Sequence, residues 1–268
     1  MVTKRQTNQQ VIDSLEALRF YGLSAHFDQL RPTEHSFVRR MLRWEEEERR
    51  RRSLEKRLKV ARLGNFKQVV DFDWSWPKKC DRVLVDDLLK LEFIQEGANV
   101  VFLGPNGVGK STLAKNIAYQ AVLSGHTVTY VSASQMLNDL ASKEQALALQ
   151  RRLTHYARPQ LLCLDELGYL SYGGRHADLL FEVVSRRYEA NKSIMLTTNK
   201  PFAEWGDVFP NASCVVTLVD RIMHKADIVQ VEGDSYRLKE ARERRKRQKT
   251  KTSRATRRKP SAQKSRQK

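Results

Sequence analysis

Along residues 9–63 the apolar positions recur three and four apart: Val11, Ile12, Leu15 and Leu18, then Leu23, Phe27 and Leu30. That spacing predicts amphipathic helices, with breaks at Gly22 and at Arg31-Pro32-Thr33. A second helical stretch is predicted from Phe37 to Leu63, where the apolar members Met41, Leu42, Leu54, Leu58 and Leu63 are sparse. Glu45–Glu48 precede Arg49–Arg52, so opposite charges lie four apart. Such pairs support an exposed helix by a few tenths of a kcal/mol each. The stretch reads either as a solvated face or as one turned toward a partner or DNA.

The texture changes after an aromatic-rich, irregular segment at 64–81, GNFKQVVDFDWSWPKKCD, which reads as a connector packing its rings on the next domain. From about residue 82, short apolar runs alternate with helical segments: NVVFLG (99–104), HTVTYVS (126–132), QLLCLDE (160–166) and SIMLTTN (193–199). Near-continuous apolar strands separated by helices predict an α/β fold with a parallel sheet covered on both faces. DIVQVEG (227–233) reads as a closing strand. Residues 212–226 carry β-branched residues, yet the spacing of Val215, Leu218, Val219, Ile222 and Ala226 favours a helix.

Charge adds a third region. The 268-residue chain carries a formal +18, and residues 239–268 alone hold 15 Lys and Arg against two acids. A cation of this size points to a polyanionic partner. The segment 241–268 is rich in Lys, Arg, Ser, Thr and Gln without apolar periodicity, which predicts a disordered basic tail suited to non-specific phosphate contact. No apolar run approaches the roughly 20 residues that span a bilayer, and the first 20 residues lack the apolar core of a signal peptide. Three unpatterned cysteines, Cys80, Cys163 and Cys214, suit reduced thiols. The expectation is a cytoplasmic protein with no membrane partner. The implied division is a helical domain at 1–63, a connector at 64–81, an α/β domain at 82–240 and the tail at 241–268.

The chemistry concentrates after the first strand. Gly104-Pro105-Asn106-Gly107-Val108-Gly109-Lys110-Ser111 fulfils G-x-x-x-x-G-K-[ST] between a strand and a helix beginning near Thr112. In such a loop, inward-facing backbone N–H groups and the positive helix end bind phosphates. Lys110 is expected on the β- and γ-phosphates of ATP, Ser111 on Mg²⁺, and Thr112 within reach of the α-phosphate. Asp165 and Glu166 end an apolar strand, where Asp165 would hold the metal through water and Glu166 would polarise the attacking water. Asn199 ends the next strand and could touch both the γ-phosphate and that water; Asn199-Lys200-Pro201 is also ordinary turn chemistry.

The loop GPNGVGKST looks like that of ABC-transporter ATPases, but residues 133–160 contain no LSGGQ-type signature. The set Lys110, Asp165, Glu166 and Asn199 resembles the AAA+ ATPases. LCLDELGYL (162–170), TTNKPFAEWGDVFP (197–210), LVDRIMHKADIVQVEG (218–233) and SYR (235–237) closely resemble the IstB-type transposition helpers, relatives of the DnaC helicase loaders. Leu15 to Trp76 is similar to that family's N-terminal domain. The likeness covers about residues 10–240; the loop's Ser111-Thr112 departs from the family's more usual Thr-His, and the basic extension exceeds the family pattern. The resemblance implies a Mg-dependent AAA+ ATPase, hydrolysing ATP to ADP and phosphate. It also implies oligomerisation as a ring, spiral or filament on double-stranded DNA, and recruitment of the transposase encoded by the same insertion element, with N-terminal contacts to transposase or neighbouring subunits. The alternative client is a replicative helicase loaded onto DNA; a DNA-binding scaffold using ATP only as a structural ligand is a third reading. By the same resemblance, Arg221 is the arginine that completes a neighbour's site, and Arg237 a weaker candidate for a sensor in its own subunit.

Overall fold

The computed structural model describes residues 7–169, 172–210 and 213–245. The chain divides into two compact units, Met1–Lys56 and Arg57–Lys268.

In the first unit, α1 (Asn8–Ala17) opens with a capping box. The Thr7 hydroxyl accepts the Gln10 N–H, and the Gln10 side chain accepts the Thr7 N–H, satisfying two donors left over at a helix start. α2 (Tyr21–Ala25) comes next. α3 (Pro32–Ala61) starts five residues before the predicted Phe37. Proline, read from sequence as a break, here begins the helix, because its fixed φ and missing N–H suit the first turn. The Glu34 carboxylate reinforces that start by accepting the Arg31 N–H at 2.7 Å. Val11, Leu15, Phe27, Val38 and Leu42 form the unit's core. The expected charge ladder is present as exposed pairs, among them Arg49–Glu45 and Arg52–Glu48, both at 2.6 Å. Hydrogen bonds from Arg51 and Arg52 pull Glu48 down to about 2.

The second unit takes in the end of α3 and the segment read as a connector. The latter contributes β1 (Lys79–Cys80), so it is part of the α/β unit rather than a spacer. Then come α4 (Arg82–Leu88), α5 (Glu92–Glu96), β2 (Asn99–Leu103), α6 (Lys110–Leu123), β3 (Val128–Ser132), α7 (Ala133–Ala141) and α8 (Ala146–Ala157). They are succeeded by β4 (Leu161–Leu167), α9 (Gly174–Glu189), β5 (Ser193–Thr198), α10 (Trp205–Val208), α11 (Val215–Met223) and β6 (Ala226–Glu232). The five predicted strands are found, and the helix assigned to 212–226 is found over Val215–Met223, with Ala226 already opening β6.

The sheet order is β1-β6-β2-β5-β4-β3, parallel throughout except for β1 against β6. β5 is buried at every position and β2 at all but its last, as a parallel sheet covered by helices requires. Val101, Leu162, Leu164, Ile194 and Leu196 share a core with α7, α9 and fully buried Trp205. α6 buries Leu113, Ala114, Ile117, Ala118, Ala121 and Val122. Arg187, fully buried, donates to the carbonyls of Tyr156, Ala157, Pro159, Gln160 and Ser193, fastening the end of α8 to the starts of β4 and β5.

Residues 236–245 are helical, so the ordered chain runs past 240 and residues 241–245 of the expected tail are not disordered. The physical reason is anchoring that charge composition does not reveal. Lys239 pairs with Asp73 at 2.9 Å, Glu240 with Lys67, and the Trp76 and Tyr236 rings meet at 6.1 Å. The remainder of the tail, 246–268, lies outside the described residues.

Candidate nucleotide site

Because β2, β4 and β5 are parallel neighbours, their C-terminal tips share one edge. Leu103 stands level with Thr198, and Thr198 with Leu167. Beyond β2 the chain turns into the loop 104–109 and enters α6 at Lys110. Gly104 has φ +156, and a Cβ there would run into the carbonyl of Val231 on β6. Gly109 caps α6 at φ +109, where a Cβ would lie 2.7 Å from the Phe72 ring. Only glycine serves at either place. The Gly104 N–H donates to Thr198 O at 3.2 Å, tying the loop to β5.

Lys110 is 3% exposed. Its ammonium donates to the loop carbonyls of Gly104 (2.7 Å) and Pro105 (2.8 Å) and reaches the Tyr169 hydroxyl at 3.4 Å. Desolvation pulls it down to about 8 against the opposing pull of Asp165 and Glu166. The ammonium is thus buried on carbonyl dipoles rather than bonded to an acid, an environment that a polyanion would relieve. Ser111 Oγ donates to Asp165 Oδ1 at 2.7 Å. Burial and the nearby Asp165 carboxylate push the Tyr130 phenol up.

Glu166 is exposed and holds φ +61, a left-handed conformation rare for a residue with a long side chain. It sits where the β4–β5 register shifts between Leu164 and Leu167. A bulge of this kind redirects a side chain at a strand tip, and strained backbone of this kind gathers at functional sites. The Glu166 N–H donates to Thr197 Oγ1 at 2.9 Å.

A cavity of about 280 Å³ opens on this edge. Loop residues 106–112, Glu166, Tyr169 and Arg237 line it, together with Phe72, Asp73, Trp76 and Tyr236. The Tyr236 N–H donates to Gly107 O at 2.9 Å, and Trp76 Nε1 donates to Asp234 O at 2.8 Å, so the former connector and the 236–245 helix wall the phosphate loop together.

Lys110, Ser111, Asp165 and Glu166 therefore come together, and Arg237 joins them. Asn199 lies just beyond β5, two residues after Thr197; its Oδ1 is buried and meets no donor among the described residues, and it does not line the cavity. Arg221 is not in this site. It lies near the end of α11, where Asn99, the first residue of β2, donates to Ile222 O at 2.9 Å. The length of β2, about 17 Å at 3.3–3.4 Å per residue, separates that end from the loop. Arg221 rests on the Phe181 and Tyr188 rings and donates to the Ser185 hydroxyl. Sequence reading missed Thr197, Tyr169 and the aromatic wall. The one legible signal was the density of rings in 64–81.

The site fits a nucleoside triphosphate with a divalent cation. The loop supplies the cradle and the cation for phosphate, and Ser111 and Asp165 are hard oxygen donors. No cluster of three or more His, Cys, Asp or Glu able to hold a metal occurs among the described residues. Mg²⁺ does not need one, since it keeps waters and takes substrate phosphates alongside one or two protein ligands.

The sequence model of the IstB-like ATP-binding proteins matches residues 11–244. The chain is 39% identical over 194 residues to the ATP-binding protein of insertion sequence IS21 from Pseudomonas aeruginosa, covering 72% of this chain and 73% of the relative. It is 35% identical over 206 residues to the corresponding protein of IS5376 from Geobacillus stearothermophilus, covering 77% and 82%. Among known structures, the crystal structure of DnaI superposes with a TM-score of 0.52 at 18% identity, covering 66% of this chain and 92% of that one.

Proposed function

The chain belongs to the IstB-like ATP-binding protein family, with an AAA+ fold, and from that premise we propose that it hydrolyses MgATP while assembled on duplex DNA and thereby recruits a transposase. The observation that carries the reading is the meeting of Lys110, Ser111 and Glu166 on one cavity, with Asp165 bonded to Ser111 behind it.

Lys110, Arg237 and the loop amides hold the phosphates, while the rings of Phe72, Trp76 and Tyr236 offer the base an apolar wall. Ser111 and Asp165 would hold Mg²⁺, which when bound offsets charge on the β- and γ-phosphates. The Glu166 carboxylate orients water toward the γ-phosphorus and accepts its proton; the P–O bond to the β-phosphate breaks, and ADP leaves with that electron pair. Asn199 Oδ1, buried without a donor, is the group that a water or a reoriented neighbour would satisfy. Arg221, one strand-length from its own loop, serves the site of an adjoining subunit, where a guanidinium offsets charge on the transferred phosphoryl group.

Recruitment of a transposase, rather than of a replicative helicase, is supported by the relatives, whose names place them in insertion sequences. DNA contact is supported by the segment 246–268, with 11 Lys and Arg and no acid. Phosphate release with and without duplex DNA, by the full chain and by a chain ending at Arg245, tests this. The full chain should turn over faster with duplex, and the truncated chain should bind duplex more weakly with a flatter salt dependence. Turnover indifferent to DNA, or identical salt slopes, would contradict the reading.

A further inference from the structure

We infer that Thr197 is a positioning residue that couples the metal-holding acid to the water-activating acid through one hydroxyl. The inference rests on the hydrolytic reading above and adds to it a residue that no motif singles out.

Thr197 is 2% exposed and is the penultimate residue of β5. Its Oγ1 donates its single proton to Asp165 Oδ1 at 2.5 Å. The same oxygen accepts the Glu166 N–H at 2.9 Å. A hydroxyl has one donor and two acceptor sites, so the donor is committed to one acid and an acceptor to the backbone of the next. The two bonds cross from β5 to β4 where the register shifts, and there Glu166 holds φ +61.

The hydroxyl therefore acts on both acids. Asp165 Oδ1 receives two hydroxyl protons, from Ser111 and from Thr197, and two such bonds from different elements fix the orientation of the carboxylate. The bond from Glu166 N–H holds the bulge in the conformation that turns its carboxylate outward. Asp165 and Glu166 are adjacent in sequence, so one lever orients both. Neither neighbour can replace it: Leu196 is apolar, and the Thr198 hydroxyl is engaged with the backbone of Lys200. Groups of this supporting kind typically alter metal affinity or activity by about 10–100-fold when removed.

The test compares Thr197→Val, which keeps the shape and removes the hydroxyl, with Thr197→Ser, which keeps the hydroxyl. Amide hydrogen exchange at Glu166, measured without nucleotide or metal, should lose protection in the valine variant and keep it in the serine variant. With MgATP, the valine variant should lose about 10–100-fold in kcat and require more Mg²⁺ for half-saturation, with ATP affinity in chelator unchanged; the serine variant should recover most of both. Protected Glu166 exchange in Thr197→Val, or equal losses in both variants, would overturn the inference. A wild-type chain that binds MgATP without turnover would overturn the hydrolytic reading instead, while exchange at Glu166 and the Mg²⁺ dependence of ATP binding would still decide Thr197.

Discussion

Lys110 carries the most consequence of any single residue. Burial against loop carbonyls brings its ammonium down to about 8, whereas polyphosphate binding favours the charged form. Below pH 8 the free protein already holds the proton, and binding takes up none. Above pH 8 the proton must be acquired on binding, so apparent ATP affinity should fall toward tenfold per pH unit. Calorimetric titration between pH 7 and 10 measures this; flat affinity over that range would show that Lys110 does not meet the phosphates. Lys110 and Ser111 were legible in sequence because each sits at a fixed offset in a motif whose spacing is set by backbone geometry, and Asp165 and Glu166 because two acids end an apolar run. Thr197 was not, since its role depends on which atoms a parallel neighbouring strand brings within 3 Å. Arg187 was invisible for the same reason: its five carbonyl partners are scattered over residues 156–193.

At the scale of elements, the phosphate loop is clamped between β6 and β5. Gly104→Ala would drive a methyl group into Val231 O and place alanine at a φ of +156, so we expect a loss of about 2–4 kcal/mol of stability together with loss of ATP binding. Urea denaturation checks the first and nucleotide titration the second; wild-type behaviour in both would mean that the loop departs from this conformation. The strands were readable because parallel strands buried on both faces must be almost wholly apolar, a pattern unlike anything in residues 9–63. The place of 64–81 in the sheet was not legible because its partners lie far along the chain: Asp73 meets Lys239, and Trp76 meets Asp234 and Tyr236. The same contacts explain why helix extends to 245, where local composition suggested only repulsion between cations.

For the whole molecule, the role proposed for Arg221 requires an active unit of more than one subunit. Arg221 lies one strand away from its own cavity, held on α9 by two rings and a hydroxyl, and the proposal gives it to a neighbour's site. Mixing Arg221→Ala with Lys110→Ala should restore part of the hydrolysis that each lacks alone, because mixed contacts pair an intact loop with an intact arginine. Phosphate release across mixing ratios would show a maximum between the pure variants; a flat, inactive series would remove Arg221 from the reaction.

The strand edge bearing Lys110, Ser111, Asp165 and Glu166 is proposed as a hydrolytic ATP site. Its most direct test is Glu166→Gln, measured for ATP affinity and phosphate release on one preparation. Affinity should stay within about twofold while turnover falls by about 10²-fold or more, the range general-base removal produces. Undiminished turnover with glutamine at 166 would contradict it.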